Sequence, residues 1–245
     1  MGSLGVLPSE IISPAIFYWG TPVVLITTEN EDGSFNIAPM SSAWWLADRC
    51  LLGLSAISQT TVNLLRTKEC VLNLASDDLV DAVNALAKTT GTKAVSTASA
   101  GEGYLYFKRK NGYKYIHDKF GHAGLTRFPS ELVRPARIAE CPVQMEGELK
   151  NVHRMMQDTD GSSLLALEVK VQRTHIHKDI RMEGHANRVD PDKWRPLIMS
   201  FQEFYGLGPR KASHSVLAEI QEEAYRPMAN PIDNQNEQND SRGDV

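Results

Sequence analysis

The sequence predicts a mainly β domain, an antiparallel barrel with peripheral helices, and three observations point to it. Most apolar runs are short, β-branched and set beside hairpin turns rather than alternating strictly with helices. Two long segments in the second half alternate in polarity and suit a hairpin. The length of 245 residues, 42% of them hydrophobic, also fits one barrel domain, a class that often reaches ~200–250 residues.

Along the chain, Pro22 to Thr28 (PVVLITT) is rich in β-branched residues and reads as a buried strand. Asp32-Gly33, within Asn30 to Ser34, is a hairpin signal because glycine accepts positive φ at little cost. Phe35 to Ala38 then pairs back on the first strand. Pro39 cannot donate to a ladder, so the chain should leave the sheet near Met40. Leu51 to Ser55 is a third strand. Ser58 to Thr67 reads as a helix, with Ser58 or Thr60 as cap and Val62, Leu64 and Leu65 as its apolar face. Cys70 to Leu74 is a fourth strand. Leu79, Val80, Val83, Leu86 and Ala87 recur at helical spacing behind Ser76 or Asp77, which gives an amphipathic helix over Asp77 to Lys88.

Thr89 to Gly103 is small, polar and glycine-containing, a loop or lid. Tyr104 to Tyr115, aromatic and basic, reads as an excursion across the surface. Ala139 to Leu149 and Ser163 to His175 alternate, and Asp160-Gly161 turns the chain between them. The expected organisation is an N-terminal segment (1–14), one domain (15–210, with 89–115 as an insertion or lid), a C-terminal helical segment (211–226) and a tail (227–245). The tail has few apolar residues and many Asn, Asp and Gln, so it is expected to be disordered.

Composition excludes several classes. With 26 Lys+Arg against 30 Asp+Glu, the formal charge is −4, unlike a dedicated nucleic-acid binder. No apolar run approaches the ~18–20 residues of a membrane span, so a membrane is not an expected partner either. Cys50, Cys70 and Cys141 are widely spaced and odd in number, which suits small buried hydrophobes better than a disulfide framework. The first residues lack a signal peptide's basic and apolar regions, so the expected compartment is cytoplasmic. His175 and His177 share a strand face, but no third ligand stands near them, and no metal is expected. Gly-x-Ser-x-Gly, the phosphate loop and the Gly-x-Gly-x-x-Gly fingerprint are all missing.

Two segments carry more chemistry. In Asn36 to Trp45 (NIAPMSSAWW) a strand ends at proline, followed by two hydroxyls and two indoles. Backbone groups released there, with Asn36, Ser41 and Ser42, could read the edge of a flat heteroaromatic ligand while a Trp or Met covers its face. The alternative is a polar turn before core tryptophans. Ser58-Gln59-Thr60-Thr61-Val62-Asn63 opens a helix, where free N–H groups, the helix dipole and several hydroxyls make an anion site. Ordinary capping accounts for one or two of those hydroxyls. A single ligand with a flat ring and a phosphate would meet both segments, and flavin mononucleotide (FMN) fits that description.

The chain resembles the flavin reductase-like, FMN-binding split β-barrel proteins, the group of flavoredoxins and the reductase components of two-component monooxygenases. The resemblance rests on PVVLITTENEDGSFNIAPMSS (22–42), LLGLSAISQTTVNLLRTKECVLNL (51–74), DKFGHAGLTRFPSELVRPARIAECPVQMEGEL (118–149) and PLIMSFQEFYGL (196–207). It implies a homodimer of split barrels with FMN near the subunit interface. It also implies that Asn36, Ala38, Pro39, Met40, Ser41 and Ser42 line the isoalloxazine, with Trp44 covering or flanking it. Ser58, Gln59, Thr60 and Asn63 would hold ribityl and phosphate oxygens, and Lys119 would be a cationic phosphate partner.

Two departures stand out. The stretch 89–115 is longer than a compact member needs and could cover the flavin or shape a distinct substrate pocket, and Met199 to Glu203 replaces an Arg-plus-Gly run, which bears on the pyridine-nucleotide half of the site. The activity implied is hydride transfer from NADH or NADPH through bound FMN, which needs no dedicated acid–base pair; the catalytic side chain is unassigned, with His117, His122 and the strand histidines read as structural. The competing expectations are an FMN enzyme acting on a specific organic substrate, and an FMN electron carrier. A partner monooxygenase is implied only for the reductase reading.

Overall fold

The apolar run after Pro22 has no polar face because the fold covers both of its sides. The computed structural model describes residues 7–225. In it, β1 (Trp19–Pro22) and β2 (Val24–Glu29) share the run. Val24 and Ile26 enter one apolar cluster, Val23 and Leu25 another, and all four are almost fully buried. β2 turns through Asn30–Ser34 into β3 (Phe35–Met40), with Ile26 opposite Ala38 and Leu25 opposite Pro39. Gly33 adopts φ +78° in that turn. Pro39 lies inside β3 rather than beyond it; β3 is a sheet edge, where a missing N–H has no second neighbour to disappoint.

Ser41 and Ser42 lead to β4 (Ala43–Leu46), which hairpins into β5 (Arg49–Ser55). The sequence reading contains no strand at β4, and the hairpin turn uses Ala47 at φ +51° instead of a glycine. Next comes α1 (Gln59–Thr67), capped by Ser58 and ended by Lys68 in the left-handed conformation. β6 (Glu69–Leu74) follows, then a 3-10 turn at Asp77–Leu79 running into α2 (Val80–Ala87). The 89–115 stretch carries β7 (Thr89–Thr90), two 3-10 turns, α3 (Tyr104–Lys110) and β8 (Lys114–Tyr115), with β8 parallel to β7. After it come α4 (Lys119–Ala123), β9 (Arg127–Phe128), β10 (Arg137–Ile138), β11 (Val143–Arg154), β12 (Leu164–Ile176), β13 (Ile198–Ser200) and β14 (Glu203–Tyr205).

The main sheet has seven strands in the order β3-β2-β6-β11-β12-β5-β4, with every neighbouring pair antiparallel. Its two edges, β3 and β4, are joined by only two residues, so the sheet must curl until those edges meet at the Ser41-Ser42 corner. They form no ladder with each other, so among the described residues the barrel is split, not closed. One apolar cluster draws on β2, β4, β5, β6, β11 and β12 and therefore fills the inside of the curl. The other lies outside it, where Val83 and Leu86 of α2 and Phe120 of α4 pack on Leu25 and Ile37.

The long β11–β12 hairpin forms as expected, with Gly161 at φ +75° in its turn. Its second face is solvated only in part, however. Gln144 and Glu146 are buried, and the Glu146 carboxylate accepts from the Glu131 and Leu132 backbone N–H groups and from His175 Nε2 at 2.7 Å. Burial opposes ionisation of Glu146; those hydrogen bonds outweigh it and hold the group below the usual carboxylate range. Near the C-terminus the segment after 211 contains two exposed 3-10 turns, Val216–Glu219 and Glu222–Tyr225, and no α-helix among the described residues. The expected tail at 227–245 lies outside the described residues.

Candidate functional site

The split in the barrel leaves a cleft of about 150 Å³ between the β3 edge, the start of α1 and the 89–115 stretch. Asn36, Ala38, Pro39 and Met40 of β3, Ser58, Gln59 and Thr60 of α1, and Lys119 of α4 all line it. These side chains converge because β3 and α1 pack side by side on β2, while α4 lies across the back of β3. Asn36 Nδ2 donates to Thr60 Oγ1 at 3.0 Å, and the buried Asn36 Oδ1 has no partner. Ser55 Oγ, also lining the cleft, is a second unpartnered buried oxygen.

At the start of α1, Ser58 takes the Thr61 N–H with its side chain (3.2 Å) and the Val62 N–H with its carbonyl (3.0 Å). The Gln59 and Thr60 N–H groups lie ahead of these and are the ones left for a ligand. Gln59 itself is braced at both ends of its amide, donating to Asn63 Oδ1 at 2.9 Å and accepting from Thr92 Oγ1 at 3.2 Å.

Lys119 is the strongest electrostatic feature. Only 3% exposed, it donates to the Ile37 carbonyl at 2.7 Å, and no Asp or Glu lines the cleft to neutralise it. Burial first, and the charge of Lys108 second, bring its pKa down to about 7. A cation held this way is suited to receive an anion or an electron-rich edge from the cleft.

The remaining predicted residues sit elsewhere. Ser41 lines an adjoining apolar cleft of about 190 Å³ with Tyr18, Val23, Val83, Met199 and Phe204; the two clefts share Pro39, Met40 and Ala87. Ser42 instead bonds Tyr18 Oη at 2.8 Å and packs on Gly53, where a Cβ would meet its own at 3.0 Å. Trp44 is exposed on β4 and lines neither cleft. Asn63 is fully buried and donates to Thr28 Oγ1 (3.1 Å) and Asn30 Oδ1 (2.8 Å), bracing the β2–β3 turn.

Sequence reasoning did not single out Thr89, Thr90, Gly91, Tyr104, Lys108 and Tyr113, which also line the cleft. The available signals were the i, i+4 spacing of Tyr104 and Lys108, and Gly91. A Cβ on Gly91 would lie 2.7 Å from both Asn36 Oδ1 and Gln59 Cγ.

The histidines are engaged outside the cleft: His117 with Asp32 (3.1 Å), His122 with the Ala85 carbonyl (3.1 Å), His175 with Glu146 and His177 with the Ala139 carbonyl (2.9 Å). All three cysteines are buried free thiols, and burial pushes the Cys50 thiol up to about 12. Among the described residues no helix is long and apolar enough to cross a membrane.

A family model described as the flavin reductase like domain matches residues 18–208. The chain belongs to that family. Membership in the flavin reductase-like family implies flavin binding and an oxidoreductase setting. A Bacillus subtilis (strain 168) relative, the uncharacterized protein YdfE, is 37% identical over 197 residues, covering 80% of this chain and 88% of that one.

Two solved structures show the same architecture. Flavoredoxin of Desulfovibrio vulgaris (Miyazaki F) superposes with TM-score 0.65 at 16% identity, covering 86% of this chain and all of the other. Nitrilotriacetate monooxygenase component B from Bacillus cereus gives TM-score 0.59 at 17% identity, over 79% and 87% of the two chains. At such identities the likeness is one of fold. It makes this flavin reductase-like chain a split barrel of the same kind.

Proposed function

We propose that this flavin reductase-like protein is an FMN-dependent oxidoreductase, carrying out hydride transfer from NADH or NADPH in the cytoplasm. The observation that carries the reading is a single cleft that joins a cation and free helix N–H groups to an unpartnered buried acceptor, with no carboxylate among them. FMN fits that donor set. Its phosphate and ribityl oxygens accept hydrogen bonds, and its ring edge offers both an imide N–H and carbonyl oxygens.

The Gln59 and Thr60 N–H groups, Ser58, the Thr60 hydroxyl and Lys119 would hold the anionic arm. Asn36 Oδ1 would take the ring's N–H, and the β3 backbone at Ala38, Pro39 and Met40, with Ser41, would line the ring. Ser42, Trp44 and Asn63 stand outside this set, since none of them lines the cleft and Ser42 and Asn63 are already bonded within the fold. When bound, the flavin supplies two-electron chemistry. The chain's own contribution is to orient the ring through Asn36, keep water from it with Met40, Leu54 and Ala87, and anchor the anionic arm with Lys119.

A homodimer fits the surface. Trp19 and Phe201 pack edge-on at 4.4 Å, β4 with exposed Trp44 and Leu46 touches β1, and this apolar group suits burial by a second copy. A partner monooxygenase that receives the electrons is the counterpart suggested by the component B likeness.

One observation favours a second reading, an FMN enzyme with its own organic substrate. The adjoining cleft holds no cation to meet the phosphates of a pyridine nucleotide. The β13–β14 hairpin beside it turns on Phe201 and Gln202, both at positive φ (47° and 72°). Stopped-flow bleaching of the FMN-loaded protein separates the readings. Rapid bleaching by NADH or NADPH is expected for the reductase. Bleaching by a protein donor alone would point to an electron carrier, and bleaching by none of these to the specific-substrate enzyme.

A further inference from the structure

The 89–115 stretch does more than cross the surface. Its helix α3 places Lys108 and Tyr104 on the cleft, Tyr113 follows them, and Lys108 Nζ lies 4.6 Å from the centre of the Tyr104 ring and 5.4 Å from that of Tyr113. Among the described residues no carboxylate acts on Lys108, and none lines the cleft it faces. The rings shield the ammonium from water without supplying a counter-charge. Across the same space stands Lys119, nearly fully buried, with one proton on the Ile37 carbonyl and the others unassigned.

Two lysines facing one small cleft, with no carboxylate lining it to pair either of them, leave a place for negative charge that an anion would fill. The base of the stretch is tied to the cleft as well: Thr92 Oγ1 donates to Gln59, and Gly91 sits against Asn36. We infer that the 89–115 stretch is a cap whose Lys108, with Lys119, forms a two-lysine clamp for an oxyanion, phosphate or carboxylate. Lys108 thereby becomes a specificity-determining residue outside the segments that carry the family resemblance. The oxyanion has two sources, the flavin's own phosphate or the acid group of a second small molecule. The clamp deepens the FMN reading but does not depend on it, because it can be loaded by simple anions.

The test compares the full-length protein with Lys108→Gln and Lys108→Arg. FMN and riboflavin are titrated by flavin fluorescence, and inorganic phosphate and benzoate by calorimetry on flavin-free and FMN-saturated protein. If the flavin phosphate is the anion, Lys108→Gln weakens FMN at least 10-fold, leaves riboflavin unchanged, and Lys108→Arg restores most of the loss. If a second molecule supplies it, FMN and riboflavin are unaffected, while benzoate or phosphate binding to the FMN-saturated protein falls at least 10-fold. Should wild type bind neither flavin, the FMN reading fails, while phosphate or benzoate binding that depends on Lys108 still supports the clamp. Lys108→Gln leaving all four ligands unchanged overturns it.

Discussion

Lys119→Met puts the cost of the cleft's central charge on a scale. In the fold the ammonium has a pKa of about 7, against an ordinary value of 10.5, and the side chain is 3% exposed. Between those values the unfolded chain binds the proton that the folded chain has released, so wild-type stability rises with pH across that window and is flat below it. At about 1.4 kcal/mol per pKa unit, the folded state is penalised by about 5 kcal/mol at pH 6 and about 2 kcal/mol at pH 9. Methionine removes this dependence while keeping much of the volume. It also leaves the Ile37 carbonyl without its donor, a cost that does not vary with pH.

The stability difference between variant and wild type should therefore move by about 3 kcal/mol in favour of wild type from pH 6 to pH 9. Urea unfolding of the flavin-free proteins at four or five pH values measures it. A difference that stays constant across that range would refute the assignment of Lys119 as a buried, unneutralised cation. The same variant should bind FMN more weakly while being the more stable protein at pH 6, which marks Lys119 as a residue kept for the ligand and not for the fold.

Three further outcomes follow from the geometry. Thr60→Ala removes a hydroxyl from the cleft and the acceptor for Asn36 Nδ2; FMN affinity should drop ~10- to 150-fold by titration, with a loss of ~1–3 kcal/mol in urea unfolding. Gly91→Ala forces a methyl against Asn36 and Gln59, so it should cost ~1–3 kcal/mol and weaken FMN, seen as a lower melting temperature and a higher Kd. Glu146→Leu strands the Glu131 and Leu132 N–H groups and His175, at a cost of ~3–5 kcal/mol. Because the Glu146 pKa is depressed in the fold, its contribution is complete above the ordinary carboxylate value and fades as pH falls through the folded one. The wild-type advantage over Glu146→Leu should accordingly shrink on acidification.

Much of the barrel was legible because local signals agree with the tertiary structure. The β-branched run at 22–28, the Asp32-Gly33 and Asp160-Gly161 turns and the Ser58 cap each dictate their own element. β4 was not legible, since four residues behind two serines give no period and its turn uses Ala47 where a glycine would have marked it. The polar face of β11 was misleading for a different reason: Glu146 is buried by partners from the 131–132 loop and β12, which no periodicity can announce.

The candidate site divides the same way. Asn36, Ser58, Gln59 and Thr60 follow from strand-end and helix-start chemistry, so the sequence points to them directly. Tyr104, Lys108 and Tyr113 reach the cleft only because the whole 89–115 stretch folds back over it, with β8 pairing to β7. Ser42 and Asn63 have the right chemistry for a ligand. The fold spends it on Tyr18 and on the β2–β3 turn.

The central claim, that this cleft grips FMN, is tested most directly by titrating flavin-free protein with FMN while following flavin fluorescence and the melting temperature. The expected result is a saturable fluorescence change with one flavin per chain, and a stabilisation of about 2.7 kcal/mol once free FMN reaches a hundred times its Kd. A fluorescence trace that only dilutes, with a melting temperature that does not move at any FMN concentration, would contradict it.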